Sequence, residues 1–405
     1  MKIGSGIVAR INSSKVRNFK KSFPGSQIWD FIKAHTNRVT VRIGLGIIIV
    51  VIVVLSIYLY KRYNSYDDYK VLNYIKVDSS SNSKYLSYQD FVIKYSGDGI
   101  SYIDDEGTVW DESYQMKTPI VDICEDYIAV ADKNSNDIYI YNEDGKQGKI
   151  TTSFPIIKVE VANQGVVAAL LEDKNANHIE VFDKEGNKLV SHKTLLDENG
   201  YPLDFSISDD GEKMAVSYIT IHNGAMGNRI VFYNFSNSGK NSANKIAGEH
   251  TQYKETIVPI VKFLSDNEAI AVGENIFSVY KIGKQSELDE EVEIKDEIHK
   301  VFYSEKYLGF ILENHNSKYP YRIEVYDLSG KRKMKTEIKM EYDNVDFSGD
   351  NVLMYDDMNC QIISFEGVEK FKTIFKGEIN GIIPVDGSRT FLFMTRSKIQ
   401  KVKLK

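Results

Sequence analysis

Three nine-residue segments, far apart in this chain, share one pattern. They read IYIYNEDGK (138–146), IEVFDKEGN (179–187) and IEVYDLSGK (323–331). Each is a tetrad of strand-forming residues, a polar turn with glycine, and the start of another strand. Apolar alternation before an Asp/Asn-x-Gly turn is a hairpin signal, because the turn needs residues that tolerate left-handed backbone. Weaker copies are ISYIDDEGT (100–108), RIVFYNFSN (229–237), FSVYKIGKQ (277–285) and CQIISFEGV (360–368). One anchor from each copy, with Val402 from the final segment KIQKVKLK (398–405), gives Ile103, Tyr141, Phe182, Tyr233, Tyr280, Tyr326, Ile363 and Val402. Their spacings are 38, 41, 51, 47, 46, 37 and 39 residues. A strand-only repeat of that period marks propeller blades, since one unit cannot bury its own apolar faces and needs neighbours.

The flanks complete the unit. Two further strands precede the anchors, as in IVDICED with YIAVADKN, VKFLSDN with EAIAVGE, VFYSEK with YLGFILEN and INGIIPVDG with TFLFMTRS. Each unit then reads as four antiparallel strands. The last unit reaches only its third strand at Lys405, while KVLNYIKV (70–77) is a strand without a unit. Pairing the two ends closes the ring and removes the exposed edges that invite aggregation. The expected fold is therefore all-β: a β-propeller of four-stranded antiparallel blades, eight by this count and seven as the alternative, preceded by one transmembrane α-helix.

That helix is read from IGLGIIIVVIVVLSIYLY (43–60), eighteen residues without a charge. About 20 apolar residues at a rise of 1.5 Å cross the hydrocarbon core, and a helix satisfies its own backbone there. The run starts too far from the N-terminus for a cleaved signal peptide and lacks a small-residue cleavage pattern, so an uncleaved anchor is expected. The chain divides as a basic arm (1–42), the transmembrane helix (43–60), a linker (61–69) and the propeller (70–405). Net charge is −6 overall, but residues 1–42 hold nine Lys/Arg against Asp30 alone. That bias places the arm in the cytoplasm and the propeller outside the membrane. Trp29, Phe31 and Ile32 among Lys33, Arg38 and Arg42 allow an interfacial helix; a plain topology determinant is the preferred reading. The acidic remainder argues against nucleic acid as a partner.

TPIVDICEDYIAVAD (118–132), GVVAALLEDKNANHIEVFDKEGN (165–187), NGYPLDFSISDDG (199–211) and EVYDLSGK (324–331) resemble an uncharacterised family of membrane-anchored, propeller-like envelope proteins of clostridial-type Gram-positive bacteria. The resemblance runs from about residue 43 to the end. It implies the same layout and carries no catalytic or binding residues.

His35, His178, His192, His222, His250, His299 and His315 show no metal-ligand spacing to one another. The acidic pairs at 104–106, 143–144, 209–210 and 356–357 fall in turns, where Asp favours the geometry, and no Ca²⁺ loop pattern is present. Cys124 and Cys360 are expected as free thiols rather than a disulfide. No nucleophile elbow or phosphate loop occurs. The loop Asn223–Gly227 beside His222 either borders a ligand or merely connects strands, the second being preferred. Trp110 is expected to pack between blades, the charge run 284–297 to be a solvated outer strand, and Asn234–Asn244 to be an insertion. No catalytic, cofactor-binding or metal residue is assigned, and no cofactor is expected.

The function expected is a non-enzymatic binding or scaffold module at the cell envelope. It is anchored in the lipid bilayer through residues 43–60 and meets a protein or cell-wall partner on one propeller face. The alternatives are a small-ligand receptor or enzyme with its site in the channel, and an anchor whose arm relays binding to the cytoplasm.

Overall fold

In the computed structural model, the described residues are 38–78, 83–89, 91–222, 224–236, 239, 245–253, 255–386 and 389–405. The chain forms two compact units, residues 1–64 and 65–405. The basic arm up to residue 37, with the interfacial helix considered for it, lies outside the described residues, as does most of the Asn234–Asn244 insertion.

Among the described residues the first unit contains one helix, α1 (Arg38–Tyr63). Its segment Arg42–Tyr60 has a mean hydropathy of 2.8, long and apolar enough to cross a membrane. Between residues 43 and 60 the helix is apolar all round, without a core-facing stripe, and the Ile and Val side chains of that segment are exposed. Near its C-terminus the Arg62 guanidinium donates to the Tyr58 hydroxyl at 2.9 Å and lies over the Tyr58 and Tyr63 rings.

The second unit is an all-β ring of eight four-stranded antiparallel sheets, as the repeat count predicted. Blades 1 to 7 take consecutive strands and span residues 84–113, 119–151, 156–194, 201–250, 260–293, 298–338 and 344–374. Blade 8 joins both ends of the unit. Its first three strands are Ile379–Asp386, Thr390–Thr395 and Lys398–Leu404, and its fourth is Tyr69–Lys76. Tyr69 pairs with Leu404 and Lys76 with Lys398. The join is tied further by Lys405, whose N–H donates to the Asp68 carbonyl at 2.9 Å and whose ammonium meets the Asp68 carboxylate at 3.0 Å.

The core lies between neighbouring sheets. All eight anchors sit in third strands and are buried, from 0% exposure at Tyr280 to 6% at Tyr326. Phe277 of blade 5 stacks on Phe310 of blade 6 at 5.4 Å. Trp110 of blade 1 stacks on Tyr141 of blade 2 at 5.4 Å, and its indole N–H donates to the Glu143 carbonyl at 3.0 Å. At Gly309 an added Cβ would lie 2.1 Å from the Phe302 ring, so only glycine lets that ring lie flat on the strand.

A bulge recurs in every blade. Between third and fourth strands the register shifts at the anchor residue in all eight blades, in blade 8 between Lys401 and Val402. The fourth strand carries one extra residue there, such as Val109, Gln147 or Leu189. Such bulges bend a strand and raise its twist. The turn just before is closed by Asp. Asp104, Asp183 and Asp327 each accept backbone N–H bonds from residues two to four positions on.

Candidate ligand site in the central channel

The first strand of each blade lies innermost, against the first strands of its neighbours. Its inner edge has no fifth strand, so its N–H groups need other acceptors. On one side of the ring, acidic side chains supply them across the blade boundary. Asp122 of blade 2 accepts from Val161 N–H at 2.8 Å, and Glu160 of blade 3 from Ile207 N–H at 3.1 Å. Asp204 of blade 4 accepts from Val261 N–H at 2.9 Å. Ser206 completes the set, donating to Glu160 at 2.9 Å and accepting from Phe263 N–H at 3.0 Å.

Two lysines neutralise these acids. Lys158 lies 3.0 Å from Glu160 and 2.6 Å from Asp204, and also donates to the Phe205 carbonyl at 2.7 Å. Lys262 lies 3.1 Å from Glu160. Burial alone would raise the Glu160 carboxyl, but Lys262 and Lys158 outweigh it and hold the group below its ordinary value. Burial would likewise lower Lys158, and Glu160 with Asp204 reverse that. Asp122 is different. Burial, reinforced by Glu160, exceeds the pull of Lys262 and pushes its carboxyl up to about 6.

The opposite side of the channel is open. A cavity of about 510 Å³ lies against the first strands of blades 8, 1, 6 and 7. Tyr85, Lys300, Asp346, Tyr355 and Pro384 are among the residues on its wall. Pro384 offers no N–H, which suits an unpaired inner edge. A second cavity of about 690 Å³ shares Ser87, Ile383 and Pro384 with the first and continues past Gln89 and Asp104 between blades 1 and 8.

The residues singled out in the sequence do not converge here. His192 is 3.2 Å from the Tyr233 hydroxyl, His250 is 2.9 Å from the Ser286 hydroxyl, and His178 stacks on Phe154, each within the blade walls. Among the described residues no three of His, Cys, Asp and Glu are placed to hold a metal ion. Asp210 and Asp356 accept turn N–H bonds. Cys124 and Cys360 are free thiols. Cys124 faces Asp209 at 3.6 Å, and burial with that carboxylate pushes it up to about 12. The run 284–297 contains the outer strand of blade 5, Ser286–Glu293, with mostly exposed side chains. Of the 223–227 loop, Met226 and Gly227 border a separate groove on blade 4.

Sequence reasoning passed over the channel charges. A signal was present: six consecutive units each carry a charge within the first strand, at Asp122, Lys158 with Glu160, Asp204, Lys262, Lys300 and Asp346. Aligning the units on their first strands rather than their third would have exposed it.

Fold and channel together define the class: an eight-bladed, end-closed β-propeller with an apolar N-terminal helix. The chain belongs to the family of unknown function DUF5711, whose profile matches residues 62–404. No curated protein matches the sequence. Among solved structures, BamB from Moraxella catarrhalis is similar, with 10% identity, a TM-score of 0.54, and coverage of 83% of this chain and 100% of that one. Sqt1 from Chaetomium thermophilum is similar at 10% identity and TM-score 0.54, over 84% of this chain and 100% of that one. The same protein bound to the N-terminus of the ribosomal protein L10 aligns at 8% identity and TM-score 0.50, over 85% and 100%. At such identities the likeness concerns the fold.

Proposed function

We propose that this protein is a membrane-tethered, extracytoplasmic propeller that binds a protein partner on one face without catalysing a reaction. The single observation that carries this reading is an asymmetry between blades. The second and third strands of blade 4, Lys213–His222 and Ala225–Asn234, are ten residues each and extend beyond those of most other blades. Beside their connection lies a groove of about 430 Å³ bordered by Leu196, Ile221, Met226 and Arg229. Leu196, Ile221 and Met226 are more than half exposed, at 54%, 58% and 53%. Clustered apolar exposure on a folded domain is a mark of an interaction surface. Arg229, paired with Glu249 at 2.8 Å, gives the groove a polar rim. Lys158, Glu160, Asp204 and Lys262 of blades 3 to 5 are bonded to one another, which supports a structural rather than catalytic use of that side of the channel. The bound complex of Sqt1 is a precedent for a propeller of this shape holding a protein segment.

The test is photo-crosslinking in intact cells, with a benzophenone amino acid at Ile221 or, as the control, at Lys331 in a turn of blade 6. A discrete adduct from position 221, lost when Met226→Asp is added, is expected. Equal adducts from both positions, or none, overturn the docking face. Protease added outside the cells should remove the propeller; its survival there, with digestion after lysis, overturns the extracytoplasmic placement.

A second reading, a small-ligand receptor, is favoured by the channel cavity lined by blades 8, 1, 6 and 7.

A further inference from the structure

Asp346 is the channel carboxylate whose situation the rest of the ring does not explain. It lies in the first strand of blade 7, Asn344–Ser348. Glu160 and Asp204 sit within 3.1 Å of lysine ammonium groups, and Asp122 lies in the field of Lys262. Asp122, Glu160 and Asp204 also each accept an N–H from the next blade. Asp346 does neither. Its one hydrogen bond comes from its own neighbour, Phe347 N–H at 2.7 Å, and among the described residues it forms no ion pair.

The cavity it faces has the walls of a cation site. Tyr85 and Tyr355 give it aromatic surface, with Ile382 and Pro384 beside them. Lys300 is the one cation among the lining residues, and it is already engaged. Its ammonium donates to the carbonyls of Tyr342 and Asp343, the latter at 3.0 Å, with Glu341 at 3.8 Å. Asp343 stands exposed at the rim and adds negative charge. A carboxylate without a counter-ion, in a cavity with aromatic walls, attracts an organic cation through Coulomb and cation–π terms together. A volume near 510 Å³ is that of small-molecule pockets rather than of a single ion.

We propose that the channel binds a small organic ammonium compound, with its positive group on Asp346 and its carbon skeleton against Tyr85 and Tyr355. This deepens the second reading above. Binding is non-covalent and asks for no co-reactant. Asp346 is exposed to the solvent that fills the cavity; its depth inside the ring raises its carboxyl above its ordinary value all the same, and no cation stands nearby to lower it. Burial also raises Tyr355, and the Asp346 charge adds to that, so the two groups share one field. A bound ammonium reverses the cost of ionising Asp346. Binding is therefore strongest where Asp346 is ionised and weakens as the pH falls through its raised pKa; the other titratable groups on the cavity wall are Tyr85, Lys300, Asp343 and Tyr355.

The experiment is calorimetric titration of the full chain in detergent micelles with choline, 1,4-diaminobutane and the neutral choline isostere 3,3-dimethylbutan-1-ol. At least one ammonium probe should bind with a dissociation constant at or below about 1 mM, and the neutral isostere about tenfold or more weaker. Asp346→Asn keeps the acceptor for Phe347 N–H and should erase the preference for charge. Lowering the pH to about 4 should weaken the ammonium probe and leave the isostere unchanged. The proposal is overturned if charged and neutral probes bind alike, if neither ammonium probe binds by about 10 mM, or if CaCl₂ at equal concentration displaces them. Should Asp346→Asn misfold, the charged-to-neutral comparison on the native chain still decides. None of these outcomes depends on the blade 4 groove, and crosslinking from position 221 is untouched by them.

Discussion

At the scale of single residues, the channel turns on which charges are offset and which are not. Glu160 is bonded to two lysines, a serine and a backbone N–H, and is only 3% exposed. Asp122 has one backbone donor and a lysine that does not repay its burial, so its carboxyl stands at about 6. The sign follows. The folded state holds this proton more tightly than the unfolded chain, whose carboxyl titrates near 3.8. The resulting stability is present below the unfolded value and is lost as the pH rises through about 6. Asp122→Asn keeps an oxygen for Val161 N–H and removes the titration. Between about pH 5 and about pH 7.5 its melting temperature should fall less than that of the native chain, and at the upper pH it should gain on the order of 1 kcal/mol. A variant that loses stability at the upper pH would show that the Lys262 attraction wins instead.

At the scale of the element, the recurrent bulge is the feature that makes a blade. The third strand was legible because its side chains alternate between two buried interfaces, and its turn is spelled by Asp and Gly. The fourth strand was not. Its side chains face water, as in Lys188–Thr194 of blade 3, so no apolar alternation reports its register. Leu189 is the extra residue there and is 55% exposed. Leu189→Ser should change stability by no more than about 0.5 kcal/mol. Deleting Leu189 removes the bulge and turns either the half-buried Val190 or the Lys188 that bridges Glu180 at 2.6 Å to the wrong face. Thermal melts should then show the deletion lower than the substitution by about 3 °C or more. Equal melts would make the bulge incidental.

Across the whole molecule, the ring is a closed circuit in which each sheet buries its faces on two others. The join at blade 8 is formed by residues more than 320 positions apart, Tyr69 with Leu404. Removing residues 398–405 would strand Thr390–Thr395 and Tyr69–Lys76 as unpaired edges and uncover Phe391 and Phe393. The truncated chain is expected to melt at least about 5 °C lower, over a broader range, and to aggregate on heating. A sharp melt at the native temperature would show that the first two strands of blade 8 suffice.

The repeat and the blade count were written in local periodicity, and the apolar helix in an unbroken uncharged run. Burial on both faces of a strand selects residue types at a fixed interval, and an interval can be read along a chain. The channel could not be read that way. Whether a charge in a first strand meets a lysine, as Asp204 does, or faces an open cavity, as Asp346 does, depends on residues contributed by other blades at separations of 40 or more positions. Those encounters exist only once the ring has shut, because the inner edges are brought together by closure and by nothing in their own sequence.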